Sequence, residues 1–120
     1  MTGLLLTKGC VDVFNPKVVR ASAGAIFRVP VIHAEDDIEI IKILKNKGFY
    51  IVSTVVQSKF SFDDMEKKDK ICIVIGNEGG GVSRDIIDNS DMTITIKMTG
   101  RAESLNASVA AGISIYEIRK

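Results

Sequence analysis

Cysteine and proline are sparse in this chain, and histidine occurs once. Its two cysteines, Cys10 and Cys72, have no partnered spacing and no histidine near them in sequence, which argues against both a disulfide framework and a cysteine-histidine metal site. Reduced thiols in a cytoplasmic protein are the expectation, with no metal. His33 has no acidic or cysteine partner beside it, so a loop or core role is favoured over catalysis. Long hydrophobic runs are missing too: Leu4-Leu5-Leu6 is too short for a signal peptide or a membrane span. Neither sign of charge dominates, since 16 basic and 15 acidic residues leave a net +1. That balance neither shows nor excludes a nucleic-acid partner, because a local patch suffices to bind one. Low-complexity segments, repeats and linkers are absent. What remains is 120 residues, 46% hydrophobic and 26% charged, enough for a single domain spanning 1–120 that buries about 65% of its unfolded surface.

Helical and strand patterns alternate along the chain. Gly3 to Thr7 reads as a buried strand, and Asn15-Pro16 opens a helix with Asn as N-cap and Pro at the first helical position, running to a stop at Gly24. Phe27 to Ile32 reads as a short strand that Pro30 confines to an edge or an interrupted ladder. Asp36 to Lys45 carries acids in its first turn, lysines in its last and Gly48 beyond, all of which complement a helix dipole and its caps. Phe49 to Val56 is β-rich, Phe62 to Lys67 suits one helical turn, and Ile71 to Ile75 reads as the central strand. A short helix over Ser83 to Asp88 leads to a strand at Thr93 to Ile96 and a final helix. There Ser104 suits an N-cap, and Leu105, Val109, Gly112, Ile113 and Tyr116 recur as a buried face. Strand-helix alternation of this kind predicts a three-layer α/β/α domain with a mostly parallel sheet.

Two loops that follow strands hold the residues with chemical potential. Gly76-Asn77-Glu78-Gly79-Gly80-Gly81-Val82-Ser83 has glycine spacing like a phosphate-binding loop. Val82, however, stands where the lysine should be, and Glu78 would place a carboxylate beside the phosphates. Arg84 stands where a dinucleotide fingerprint needs its last glycine. Three glycines in a row can simply make a tight turn. A carboxylate in a glycine-walled loop instead suits a cationic or hydroxyl-bearing ligand. In the second loop, Ser104, Asn106 and Ser108 cluster at the start of the last helix, where helix capping alone would also explain them.

The run Ile96-Lys97-Met98-Thr99-Gly100 with Ser104-Leu105-Asn106-Ala107-Ser108-Val109-Ala110 resembles the third motif of the SpoU/TrmH methyltransferases. These belong to the SPOUT class, which methylates ribose 2′-hydroxyls of RNA. Ile75 to Ser83 looks like that family's glycine-rich loop, in the right order. Lys97 departs from the pattern, standing where the family has proline. The resemblance implies S-adenosyl-L-methionine as cofactor, with Thr54, Gly76, Ile96, Met98 and Leu105 lining its pocket. Glu78, Ser104 and Asn106 match positions that order the site and orient the substrate, and Arg20, which matches a recurrent arginine, joins them as a candidate catalytic residue; its blander reading is an exposed helix charge. A C-terminal trefoil knot, an rRNA or tRNA substrate and a homodimer through the last helix are implied as well. Lys8, Lys17, Arg20, Arg28 and Arg101 are candidate RNA contacts. The family's first motif, carrying an asparagine, a glycine and an arginine, would lie before Gly3, so the expectation is an N-terminally truncated catalytic domain. The alternative is a non-catalytic remnant that binds cofactor or dimerises.

Overall fold

The structure, a computed structural model, describes residues 2–101 and 104–120, which fall into two compact units, Met1–Ile40 and Ile41–Lys120. In the first unit, β1 (Leu4–Leu6) pairs in parallel with β2 (Val31–His33), Leu5 opposite Ile32. Asn15 caps α1 (Pro16–Ala21) by accepting from the Lys17 N–H at 2.9 Å, and Pro16 takes the first position, where no intrahelical donor is needed. The helix stops at a Ser22 cap, after which Ala23 and Gly24 both adopt positive φ, of 50° and 80°. Gly24 then opens a 3-10 turn over Ala25–Arg28.

That turn corrects the expectation of a strand from Phe27. The strand starts at Val31, past Pro30, which has no N–H for a ladder; its carbonyl accepts from the Leu4 N–H at 2.8 Å instead. Val13 is the buried apolar side chain of this unit among the described residues.

Helix α2 (Asp37–Asn46) spans the boundary between the units in sequence. Asp36 accepts from the N–H groups of Ile38 and Glu39, and Gly48, at φ 87°, terminates the helix as its position predicts. The second unit is built on β3 (Tyr50–Thr54), which sits between β4 (Ile71–Val74) and β5 (Met92–Ile94) in a three-stranded parallel sheet. Ile51, Val52, Ser53 and Ile94 are fully buried. The middle strand of this sheet is therefore β3, and Ile71 to Val74 lies at its edge, contrary to the sequence reading. Apolar runs of similar length do not reveal strand order.

One carboxylate holds the start of this sheet. Asp91 accepts from the Ile51 N–H at 2.7 Å, its own N–H donates to the Ile51 carbonyl at 2.8 Å, and Lys45 stands 3.6 Å from its other oxygen. A 3-10 turn over Phe62–Asp64, boxed by Ser61 and Asp64, occupies the β3–β4 connection, and α3 (Arg84–Asn89) is capped by Ser83.

The last helix, α4 (Ala107–Arg119), differs from its sequence reading in two ways. Asn106 is its N-cap, not Ser104, and the expected buried face is partly outside: Val109 is 48% and Tyr116 69% exposed, whereas Ser114 is fully buried. The helix is apolar nearly all round, so periodicity could not single out a face. Ser114 tolerates burial because its hydroxyl donates to the Ala110 carbonyl at 2.7 Å. Every pairing between named strands is parallel, as in α/β proteins, and no described helix is long and apolar enough to cross a membrane.

Candidate functional site

In a parallel sheet the strands deliver their loops to one edge, where sites collect. Here the carboxyl ends of β3, β4 and β5 open into a cavity of about 410 Å³ within the second unit. From β3 come Thr54, Val55 and Val56; from β4 the loop Ile75 to Gly81; from β5 Thr95, Ile96 and Met98; from the approach to α4 and its first turn Ser104, Leu105, Ala107 and Ala110.

The β4 loop is folded on its own backbone. Asn77 accepts at its side-chain oxygen from the Gly80 N–H at 2.6 Å, and its carbonyl accepts from the Gly81 N–H at 3.0 Å. Gly76 must lack a side chain, because a Cβ there would sit 2.2 Å from the Gly81 carbonyl carbon and 2.3 Å from the Val82 nitrogen. A Cβ at Gly81, whose φ is 66°, would meet open space, so bare backbone faces outward there.

Glu78 and Asn106, 28 residues apart, close the two loops on each other. The Asn106 amide nitrogen donates to a Glu78 carboxylate oxygen at 2.8 Å, while its amide oxygen accepts from the Ser108 N–H at 2.9 Å and the Ser108 hydroxyl at 2.5 Å. This set fixes the amide orientation, since the reverse would turn oxygen toward the carboxylate and NH₂ toward a donor. One side chain thus caps α4 and orients the carboxylate. Glu78 is the ionisable side chain among the described lining residues. Two hydroxyls brace the rim: Thr54 donates to the Val74 carbonyl at 3.1 Å and Thr95 to the Val56 carbonyl at 2.8 Å.

Thr54, Gly76, Glu78, Ile96, Met98, Ser104 and Leu105, all singled out in the sequence, line this one cavity, and Asn106 joins it through Glu78. Arg20 belongs to the first unit, exposed near the end of α1, whereas the cavity is built wholly from the second. Asn77 and Thr95 were missed. An Asn three residues before a glycine is a signal for a side-chain-closed turn and could have pointed to Asn77; Thr95 gave none, being a plausible strand residue. No group of three or more potential metal ligands occurs among the described residues.

The sequence model of the SpoU rRNA methylase family matches residues 1–116. The chain belongs to that family. It is 38% identical over 116 residues to a Staphylococcus aureus protein named for the TrmH family of tRNA/rRNA methyltransferases, covering 97% of this chain and 47% of that protein. It is 29% identical to the Bacillus subtilis 23S rRNA (guanosine(2553)-2′-O)-methyltransferase RlmP, covering 99% of this chain and 48% of that one. The chain spans about half the length of the curated relatives it matches. Among solved structures, an AdoMet-bound rRNA methyltransferase from Sinorhizobium meliloti superposes with a TM-score of 0.91 at 28% identity, over 98% of this chain and 45% of that one. The SpoU methyltransferase AviRb from Streptomyces viridochromogenes, in complex with AdoMet, gives 0.88 at 30% identity, over 97% and 48%.

Proposed function

We propose that this chain is the catalytic portion of an S-adenosyl-L-methionine-dependent methyltransferase acting on a ribose 2′-hydroxyl of ribosomal or transfer RNA. The observation that carries the proposal is the cavity shared by the loop after β4 and the segment after β5, which the Glu78–Asn106 hydrogen bond joins. The residues present fit the cofactor. Bare glycine backbone and the apolar side chains of Ile75, Ile96, Met98 and Leu105 suit an adenine ring, and the Glu78 carboxylate suits the cationic part of the molecule. When bound, the cofactor supplies an electrophilic methyl group on a sulfonium.

The remaining work falls to the chain. Thr54, Gly76, Ile96, Met98 and Leu105 wall the cofactor site. Asn106 holds the carboxylate of Glu78 at the rim, and Ser104, exposed beside it, offers a hydroxyl to the incoming ribose. Arg20, with Lys8, Lys17, Arg28 and Arg101, is assigned to RNA phosphates. The reading extends to a C-terminal trefoil knot, a cytoplasmic setting and a homodimer through α4, the last supported by Val109 and Tyr116, seven residues apart and both exposed.

Titration calorimetry with S-adenosylmethionine and S-adenosylhomocysteine tests the pocket. Binding is expected, weakened about tenfold or more by Glu78→Ala or Asn106→Ala, because each removes or releases a charged hydrogen-bond partner. Transfer of labelled methyl to RNA, followed by nucleoside analysis, tests the chemistry; label on base rather than ribose would refute the 2′-hydroxyl assignment. Binding without transfer would favour the alternative of a non-catalytic cofactor-binding module. No binding would end both.

A further inference from the structure

Phe14 and Phe27 stack on each other with ring centroids 6.4 Å apart and planes 24° from parallel, yet they are 60% and 67% exposed. Val11, three residues before Phe14, is exposed as well, so the first unit leaves several large apolar side chains uncovered. Two large aromatic side chains exposed together form an apolar patch of the kind that contact sites use. Charge says what kind. From Val13 to Ala34 the chain holds Lys17, Arg20 and Arg28 and no acidic residue at all, in a protein whose acids and bases nearly balance. Lys17 and Arg20, three apart on α1, share a helix face; Arg28 adjoins Phe27 within the 3-10 turn; all three are exposed. Asp12, just outside this stretch, turns a carboxylate oxygen onto the Phe14 N–H at 3.0 Å. Aromatics and arginine occur at protein interfaces too, but lysine is depleted from the cores of such interfaces, and three cations with no acid among them around exposed rings match the way unpaired bases are held.

We infer that the Phe14–Phe27 pair is a stacking platform for unpaired RNA bases, with Lys17, Arg20 and Arg28 contacting the adjoining phosphates. The inference rests on the proposed RNA-methyltransferase reading and adds to it the form of RNA engaged, a single-stranded segment rather than a helix, since bases within a duplex present no free face.

The test measures binding of the full chain to a single-stranded RNA oligonucleotide of mixed sequence, and to a matched duplex, by fluorescence anisotropy across a salt series. Single-stranded RNA is expected to bind more tightly. Phe14→Ala and Phe27→Ala should each weaken that binding about five- to a hundredfold with little effect on duplex, whereas Phe14→Tyr and Phe27→Trp, which keep a ring, should retain it. Lys17→Ala, Arg20→Ala and Arg28→Ala should weaken both forms and flatten the salt dependence. Unchanged single-stranded affinity in the alanine variants would overturn the inference. So would a dimer, seen by sedimentation, that these variants convert to monomer without loss of RNA binding, for the face would then join two copies. Calorimetry with S-adenosylmethionine on the same samples separates the two readings: normal cofactor binding with ring-independent RNA binding sinks the platform alone, and absent cofactor binding sinks the enzyme assignment.

Discussion

The middle strand of the second unit and the stretch from Val13 to Ala34 in the first are both rich in apolar residues, and they use them in opposite ways. In β3, Ile51 and Val52 have no exposed surface, and the neighbouring polar groups are paired: Ser53 with Ser90 at 2.6 Å, and the Ile51 N–H with Asp91. In the first unit Phe14 and Phe27 stand in water. Apolar content alone therefore does not say whether a segment supports the fold or faces a partner; the answer depends on whether a second layer covers it.

Substitutions can break or sharpen this contrast. Ile51→Ala should be the most damaging, lowering stability by about 2–5 kcal/mol in urea titrations, since it leaves a hole in a fully covered strand. Next comes Gly76→Ala, expected to lower stability by about 1–3 kcal/mol and to abolish S-adenosylmethionine binding in calorimetry, because the new methyl would overlap Gly81 and Val82 and force the loop open. Phe14→Ala and Phe27→Ala should shift stability by less than about 0.5 kcal/mol in the same titrations; a loss comparable with Ile51→Ala would show that the rings belong to a core and dissolve the contrast.

The two cysteines give the smallest and most local comparison. Cys10 is exposed, whereas burial of Cys72 within β4 pushes its thiol above the ordinary value. Cys10 should react faster with a thiol reagent than the partly buried Cys72, and unfolding should narrow the difference. Because the unfolded Cys72 thiol releases its proton at lower pH than the folded one, its contribution is fully present below the ordinary thiol range and is lost as pH rises through the folded value. Urea midpoints from pH 7 to strongly alkaline conditions should show that decline, and Cys72→Ala should reduce it.

Local chemistry made much of the fold legible. Asn15 and Pro16, and the acids and lysines of α2 with Gly48, act within a few residues of themselves, so their roles could be read without knowing what lay across from them. The strand assigned from Phe27 failed because a proline without a donor and a left-handed Gly24 turn the chain there before the ladder starts. The buried face of α4 failed for a different reason: its apolar residues run nearly all round the helix and offer little contrast, and the residue most deeply buried is a serine satisfied by the helix backbone.

Amino-acid order by itself determined that one strand ends just before the Gly76 loop and another in the run to Ile96, and it supplied the residue types able to hold a cationic ligand; the structure ends those strands at Val74 and Ile94 and shows that position 76 admits no side chain. Short-range sterics and capping hydrogen bonds act along the chain, and they are written in it. Only the tertiary structure decided that Glu78 meets Asn106, that β3 rather than β4 lies in the middle of its sheet, and that Phe14 and Phe27 remain uncovered. Each of these depends on which distant surfaces come together, and a hydrophobic pattern states how much must be buried without stating against what.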